Sequence, residues 1–200
     1  MKKLLILCLA LFVVVSCGKK EDDKADSDAT DHAHVSPEGT PPGEPMAMIP
    51  GEEFSEMERL ADAKLNPYFD ENASKTELAV APGERFDLYV FAEYNKNYPM
   101  SAAEYRVILP EGVSILASTN CDSTILQFGN PEGDFMIAFH CSYGPKMWLV
   151  KYDCSADESF TGGKIRIGEG MALRYLGFAM CDESKTLIRA KPGEAVLRAK

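Results

Sequence analysis

The chain has 200 residues, 46% of them hydrophobic and 26% charged, with 31 acidic against 21 basic side chains and a formal net charge of −10. That length suffices for one sizeable domain plus accessories. An acidic chain without a basic cluster argues against nucleic acid as a partner and against electrostatic docking on anionic lipid.

Met1-Lys2-Lys3 is a charged start, Leu4 to Val15 is an apolar run, and a small residue precedes Cys17. This is the layout of a secretory signal peptide over residues 1–16. A helix of about a dozen residues spans ~18 Å, short of the ~30 Å hydrocarbon core, so a permanent membrane span is not expected. Val14-Val15-Ser16-Cys17 resembles the lipobox of bacterial lipoproteins. The resemblance implies cleavage before Cys17 and acylation of its thiol and new amino group with chains such as palmitate. Two or three such chains meet the requirement for stable anchoring. Gly18, rather than Asp, follows the cysteine, which by that family's sorting rule implies the outer membrane, on its periplasmic or surface face. Losing Lys2 and Lys3 takes the net charge from −10 to −12.

Residues 17–50 carry eight acids and three lysines, then a Pro/Gly stretch from Pro37 to Pro50, and almost no large apolar residue before Met46. Such a segment buries too little to offset its ordering entropy, so it reads as a disordered acidic tether. Its r.m.s. span as a coil is ~30–35 Å. The acids behind Cys17 also resemble the surface-export signals of some Bacteroidota lipoproteins. Within the tether, Asp31-His32-Ala33-His34 offers weak ligands for Zn²⁺, Cu²⁺ or Ni²⁺, against the plainer reading of a solvated polar tract.

Residues 51–75 read as a short amphipathic helix and a loop. Phe54, Met57, Leu60 or Ala61, and Leu65 repeat at helical spacing, and Glu52 and Glu53 suit the positive end. The helix is expected over Glu52 to Leu65, stopped by Asn66-Pro67. Either it docks a partner or it packs on the adjoining domain.

Residues 76–200 change to short strands and turns. Ala81-Pro82-Gly83-Glu84 predicts a type II turn, and Pro192-Gly193-Glu194 looks like its repeat. Phe86, Leu88, Val90 and Ala92 alternate with Arg85, Asp87, Tyr89 and Phe91, at strand period. Ile125–Phe128 and Phe135–Phe139 predict a hairpin around Gly129 to Asp134. Further segments at 105–109, 113–117, 147–152, 164–167, 172–180, 186–190 and 195–199 bring the total to about ten or eleven strands. The fold class expected is all-β: an antiparallel β-sandwich, Ig-like or jelly-roll-like, preceded by one short helix and the tether. Val80 to Val90 and Ala102 to Val113 resemble the first strands of cohesin-like and related immunoglobulin-like sandwich domains. That resemblance implies a jelly-roll-like sandwich serving in adhesion, protein docking or carbohydrate binding.

With Cys8 in the signal and Cys17 acylated, Cys121, Cys141, Cys154 and Cys181 remain, an even number that reads as two disulfides in an exported protein. If Phe128 faces Phe135, Cys121–Cys141 staples the hairpin and leaves Cys154–Cys181; the other two pairings stay open. Each closure is worth ~3 kcal/mol. A Cys154–Cys181 bond would bring Asp153, Asp157, Glu158, Asp182 and Glu183 together as a possible Ca²⁺ site, against a pair of solvated acidic loops. No other cofactor is indicated.

No nucleophile motif, metalloprotease motif or phosphate loop occurs, and His140 reads as a core or edge residue, so catalysis is not expected. Tyr89 and Phe91, opposite Phe86 and Leu88, are the candidate ligand-binding aromatics, with Tyr94, Tyr98, Tyr143 and Trp148 as further candidates. Burial of Tyr89 and Phe91 under the helix at 52–65 would remove that platform. The reading is a lipid-anchored envelope module that binds protein or carbohydrate, or alternatively a structural envelope-assembly lipoprotein with no small-molecule ligand.

Overall fold

The structure, a computed structural model, describes residues 53–171 and 174–200. The signal, Cys17, the tether and the Asp31–His34 tract lie outside the described residues. Those described fall within one compact unit, Thr40–Lys200.

In chain order the elements are α1 (Glu56–Ala61), β1 (Lys64–Tyr68), β2 (Glu77–Val80), β3 (Arg85–Glu93), β4 (Met100–Ile108), β5 (Val113–Asn120), β6 (Thr124–Gly129), β7 (Phe135–Ser142), β8 (Lys146–Ala156), β9 (Gly163–Gly168), β10 (Gly177–Met180), β11 (Leu187–Arg189), β12 (Lys191–Pro192) and β13 (Glu194–Ala199). They form a β-sandwich. One sheet runs β12-β1-β3-β8-β5. The other runs β11-β10-β4-β9-β13-β2, with the β6–β7 hairpin joined to it through β7 and β4. Two pairs, β1–β12 and β2–β13, are parallel; all others are antiparallel.

Alternation sets the core, as expected for β3: Phe86, Leu88, Val90 and Ala92 are buried. They meet Tyr105, Val107, Phe135, Ile137 and Ile165 of the other sheet in one apolar cluster. Tyr105 and Tyr152 share a hydrogen bond of 3.1 Å between hydroxyls at the centre, with Phe135 packed against both rings. The pair joins the two layers and satisfies two polar groups that burial would otherwise penalise.

The helix is shorter than its periodicity predicts. Ser55 and Glu58 form a capping box, and Asp62 closes the helix in a left-handed conformation with φ 44°. Leu65, Asn66 and Pro67 then lie in β1 instead of ending the helix. Pro67 is tolerated there because alternate residues face the same neighbour. Leu65 accepts from Gly193 on the β12 side, so Pro67 turns its missing N–H to that edge, past the end of β12. The sandwich therefore begins at Lys64, not at residue 76.

Ala81 to Glu84 forms the expected turn, with Gly83 at φ 76° and Glu84 N–H donating to Ala81 O at 3.0 Å. Pro192-Gly193-Glu194 is not its repeat. The chain runs on from β12 in one sheet to β13 in the other, crossing between layers at Gly193. A Cβ there would stand 2.9 Å from Asn66 Cα, so the crossing needs glycine. The segment expected as a strand over 172–180 becomes β10 only from Gly177, with 172 and 173 outside the described residues.

The disulfide pairing also differs. Cys141 bonds Cys181, and Cys121 and Cys154 are buried free thiols. The hairpin register is Gly129 opposite Phe135, one residue from the Phe128–Phe135 expectation, with an irregularity between Thr124 and Leu126. A one-residue slip reverses which face a side chain takes. Cys121 is buried while Cys141 is exposed, so the two do not meet. Cys141 instead reaches Cys181 at the end of β10, the strand beside β4 opposite β7. Closing 40 residues is worth about 4 kcal/mol in chain entropy.

Candidate functional site

Tyr89 and Phe91 lie on the outer face of the five-stranded sheet, as strand period requires. There they join Tyr68 of β1 and Trp148 of β8 in a strip of edge-to-face contacts. Tyr68 and Phe91 have centroids 5.4 Å apart, and Tyr89 and Trp148 are 6.2 Å apart. Helix α1 does not cover them; it contacts β11. Their own neighbours do. Lys146 Nζ sits 4.5 Å from the Tyr68 centroid and 5.5 Å from that of Phe91, and it pairs with Glu93 at 3.1 Å. Tyr68 donates to Glu93 Oε1 at 2.7 Å. Burial alone would raise the Glu93 carboxyl, but these hydrogen bonds outweigh it and hold it below its usual value. Lys151 lies 5.9 Å from the Tyr89 centroid and pairs with Asp87 at 2.9 Å and Asp153 at 3.6 Å. Phe91 keeps 5% exposure, and Tyr68, Tyr89 and Trp148 are half-buried. A flat open ring for a sugar is not what this strip presents.

Of the other aromatics, Tyr94 is buried against Phe178 and donates to Ser142 O at 3.2 Å. Tyr98 packs on the core and Tyr143 is exposed in the β7–β8 turn. His140 is exposed on β7, with its backbone N–H on Ser123 O, so it is a surface residue and not a core one, and β7, flanked by β4 and β6, is not an edge strand.

The premise of the calcium reading is overturned by the Cys141–Cys181 bond, since Cys154 and Cys181 are not joined. Asp153 faces Lys151. Asp157 accepts from Ser159 N–H at 2.7 Å, and Asp182 accepts from Thr186 N–H at 2.8 Å, each closing its own turn. Glu158 lies near Gly83, and Glu183 follows Asp182 in the turn after β10. Among the described residues, no group of three or more His, Cys, Asp or Glu side chains is placed to hold a metal ion. The free Cys154 is buried in the core, and burial, followed by the charge of Asp153, pushes its thiol up to about 12, so it is not a nucleophile at neutral pH.

The open apolar surface is elsewhere, on the β6–β7 hairpin. Ile125 is 57% exposed and Phe128 63%, with Leu126 and Met136 also exposed. Strand β6 pairs only with β7, so its other edge is unpaired among the described residues. Thr124 to Gly129 contains no charge and no proline, the devices that normally blunt an edge. Beside the hairpin a small cleft is lined by Phe128, Met136, Glu104 and Asp134. None of these four is among the aromatics and acids picked out from sequence. The signal was present: Ile125, Leu126 and Phe128 place apolar side chains on both faces of one strand, which an edge strand exposes.

No family model and no curated protein matches this chain. Solved structures do resemble it. A cohesin module from a Clostridium perfringens family 33 glycoside hydrolase is 13% identical with a TM-score of 0.49, over 70% of this chain and 99% of that one. A non-cellulosomal cohesin from the archaeon Archaeoglobus fulgidus is 10% identical at 0.47, over 70% and 92%. A cohesin in a type I cohesin–dockerin complex from Clostridium thermocellum is 12% identical at 0.45, over 70% and 97%. These are modules of the kind that Val80–Val90 and Ala102–Val113 resemble; at such scores they leave the family of this chain open. Among the described residues, no helix is long and apolar enough to cross a membrane.

Proposed function

We propose that this chain is a non-catalytic, lipid-anchored binding module of a bacterial cell envelope, whose ligand is a protein docked on the outer face of the β6–β7 hairpin. One observation carries the choice of surface: Leu126, Phe128 and Met136 lie exposed on one face of the hairpin, whose edge strand β6 carries no charge. Contiguous apolar surface of this kind marks interaction sites in soluble domains. Protein is favoured over carbohydrate because the aromatic strip that would stack a sugar is covered by Lys146 and Lys151. The anchoring rests on Val14 to Cys17 and the acidic stretch behind it, and the outer membrane on Gly18.

Capture from the native envelope tests the docking surface, with wild type and Phe128→Glu compared side by side and a glycan array run in parallel. A single stoichiometric protein held by wild type and lost from the variant supports the reading. Capture indifferent to Phe128→Glu, or glycan hits with no protein partner, defeats it. For the anchor, Cys17→Ala should release the protein or leave an unprocessed precursor; mature protein still in the membrane fraction would defeat that part.

A further inference from the structure

The outer face of the eight-stranded sheet carries two arginines side by side. Arg106 of β4 lies opposite Gly168 of β9, and Arg166 of β9 lies opposite Ile108 of β4 and Glu194 of β13. The two arginines are therefore diagonal neighbours on one face, a placement that sets Cα atoms about 7–8 Å apart. Gly168 brings no side chain to the row, and the Arg106 stem lies over it. A Cβ there would stand 3.7 Å from Arg106 Nε and 2.7 Å from Ile108 Cδ1. A cleft of about 530 Å³ opens at this point, lined by both arginines with Ile108, Pro192, Gly193 and Glu194. Its far wall is the crossing from β12 to β13, held to β9 by Ile167 N–H donating to Gly193 O at 3.0 Å.

Neither guanidinium has a hydrogen bond or ion pair among the described residues. Other cations of the same sheet do: Arg189 is on Glu58, Arg198 on Glu77 and Lys164 on Glu194. Arg166 is exposed and Arg106 half-buried. The Arg106 Nε is fully enclosed, so it fixes the stem and takes no ligand. The terminal nitrogens beyond it are not enclosed in this way and reach water. Two cations this close repel, and an anion between them removes the repulsion. The one acid lining the cleft, Glu194, is held on Lys164 at 2.6 Å and neutralises neither arginine.

We propose that this cleft seats one acidic side chain of the docked protein, its carboxylate between the guanidiniums of Arg106 and Arg166 and its aliphatic stem against Ile108 and Pro192. The inference rests on the hairpin docking reading above, and the two sites share a face. Glu104 stands in register with Met136 and Phe128, and Arg106 is the next residue of β4 on that side, ~7 Å further along the strand. A protein interface of ordinary size covers both. Guanidinium forks match a carboxylate's two oxygens. Carboxylate is favoured over inorganic phosphate because Ile108 and Pro192 give the cleft an apolar side that only an anion on a carbon stem can use. The chain's net charge of −10 does not oppose this, since pairing at an interface follows the local charge, and here two unpaired cations face one acid that is already paired.

The test titrates the full-length protein in detergent with sodium butyrate at constant ionic strength, followed by backbone amide NMR, with butyramide and sodium phosphate as controls. Saturable shifts at Ile108, Gly168 and Gly193 are expected with butyrate, none with butyramide, and weaker binding with phosphate. Arg166→Gln, which changes an exposed residue and so keeps the fold, should bind butyrate at least fivefold more weakly. Arg106→Lys, which keeps the charge and loses the fork, should weaken it two- to fivefold. An equal response to butyramide, phosphate binding as tight as butyrate, or unchanged butyrate affinity in either variant overturns the proposal. Envelope capture ties the site to the partner: Arg166→Gln should lower it at least fivefold. Capture lost in Phe128→Glu but unchanged in Arg166→Gln overturns the partner carboxylate and leaves the hairpin docking surface standing. Capture indifferent to Phe128→Glu overturns the docking surface and, with it, the partner carboxylate.

Discussion

The outer faces of the two sheets both carry large apolar side chains, but they end differently. On the five-stranded sheet, Tyr68, Tyr89, Phe91 and Trp148 touch one another, and Lys146, Glu93, Lys151 and Asp87 close over them. That face is satisfied by its own residues. On the β6–β7 hairpin, Ile125, Leu126, Phe128 and Met136 have no such cover among the described residues, and the acid in line with them, Glu104, has an oxygen without a partner among those residues. Aromatic content alone does not mark a binding surface. The first face contributes its burial to stability, and the second leaves its apolar area in water.

That contrast can be broken or sharpened by substitution. The largest effect is expected from removing the disulfide that braces the hairpin side, Cys141 with Cys181. The double change to serine should cost about 3–4 kcal/mol, read as a lower denaturant midpoint at an unchanged slope. On the closed face, Phe91→Ala should cost about 3 kcal/mol and leave partner capture intact in the folded fraction. Loss of capture without loss of stability would reverse the assignment of the two faces.

Glu58 of α1 pairs with Arg189 of β11 at 2.8 Å, at the opposite end of the hairpin's sheet. Glu58→Gln should cost about 2–3 kcal/mol by leaving a half-buried guanidinium short of its partner. The pH dependence has a definite sign. The Arg189 hydrogen bond, working against desolvation and joined by bonds from Ser55, holds the Glu58 carboxyl at about 2, below its ordinary 4.5. Its contribution is therefore full above about pH 4.5 and lost as pH falls from there through 2. Thermal melts between pH 5 and 2 should show wild type losing this increment and Glu58→Gln flat with respect to it.

The smallest effect on stability is expected on the open face. Phe128→Ala should change it by no more than about 0.5 kcal/mol in urea unfolding. A cost above 2 kcal/mol would mean the ring is packed in the free protein, and the hairpin would lose its claim to be unpartnered.

Much of this was legible from local pattern. Strand alternation of β3, the Pro82-Gly83 turn and the β6–β7 hairpin depend on residues near in sequence, and they appear where period and turn chemistry place them. The helix is shorter than its periodicity suggests: Leu65 keeps helical spacing with Ala61, yet the edge of β3 and the end of β12 recruit it into β1. Its apolar stripe is not what holds it. Met57 and Leu60 are exposed, and the helix is held instead by the Glu58–Arg189 pair, 131 residues apart.

Three outcomes belong to tertiary structure alone. The cysteine pairing turned on a one-residue register and an irregularity at Thr124, which no count of cysteines contains. Whether the aromatics at 89 and 91 lie open depended on Lys146 and Tyr68, brought in from other strands. The Glu104 cleft exists because β6, β7 and β4 line up in register and Gly170 leaves room beside it. Sequence by itself determined the all-β texture, because side-chain period and turn residues act over a few bonds. Tertiary structure decided which faces stay uncovered, because covering is done by residues distant in the chain.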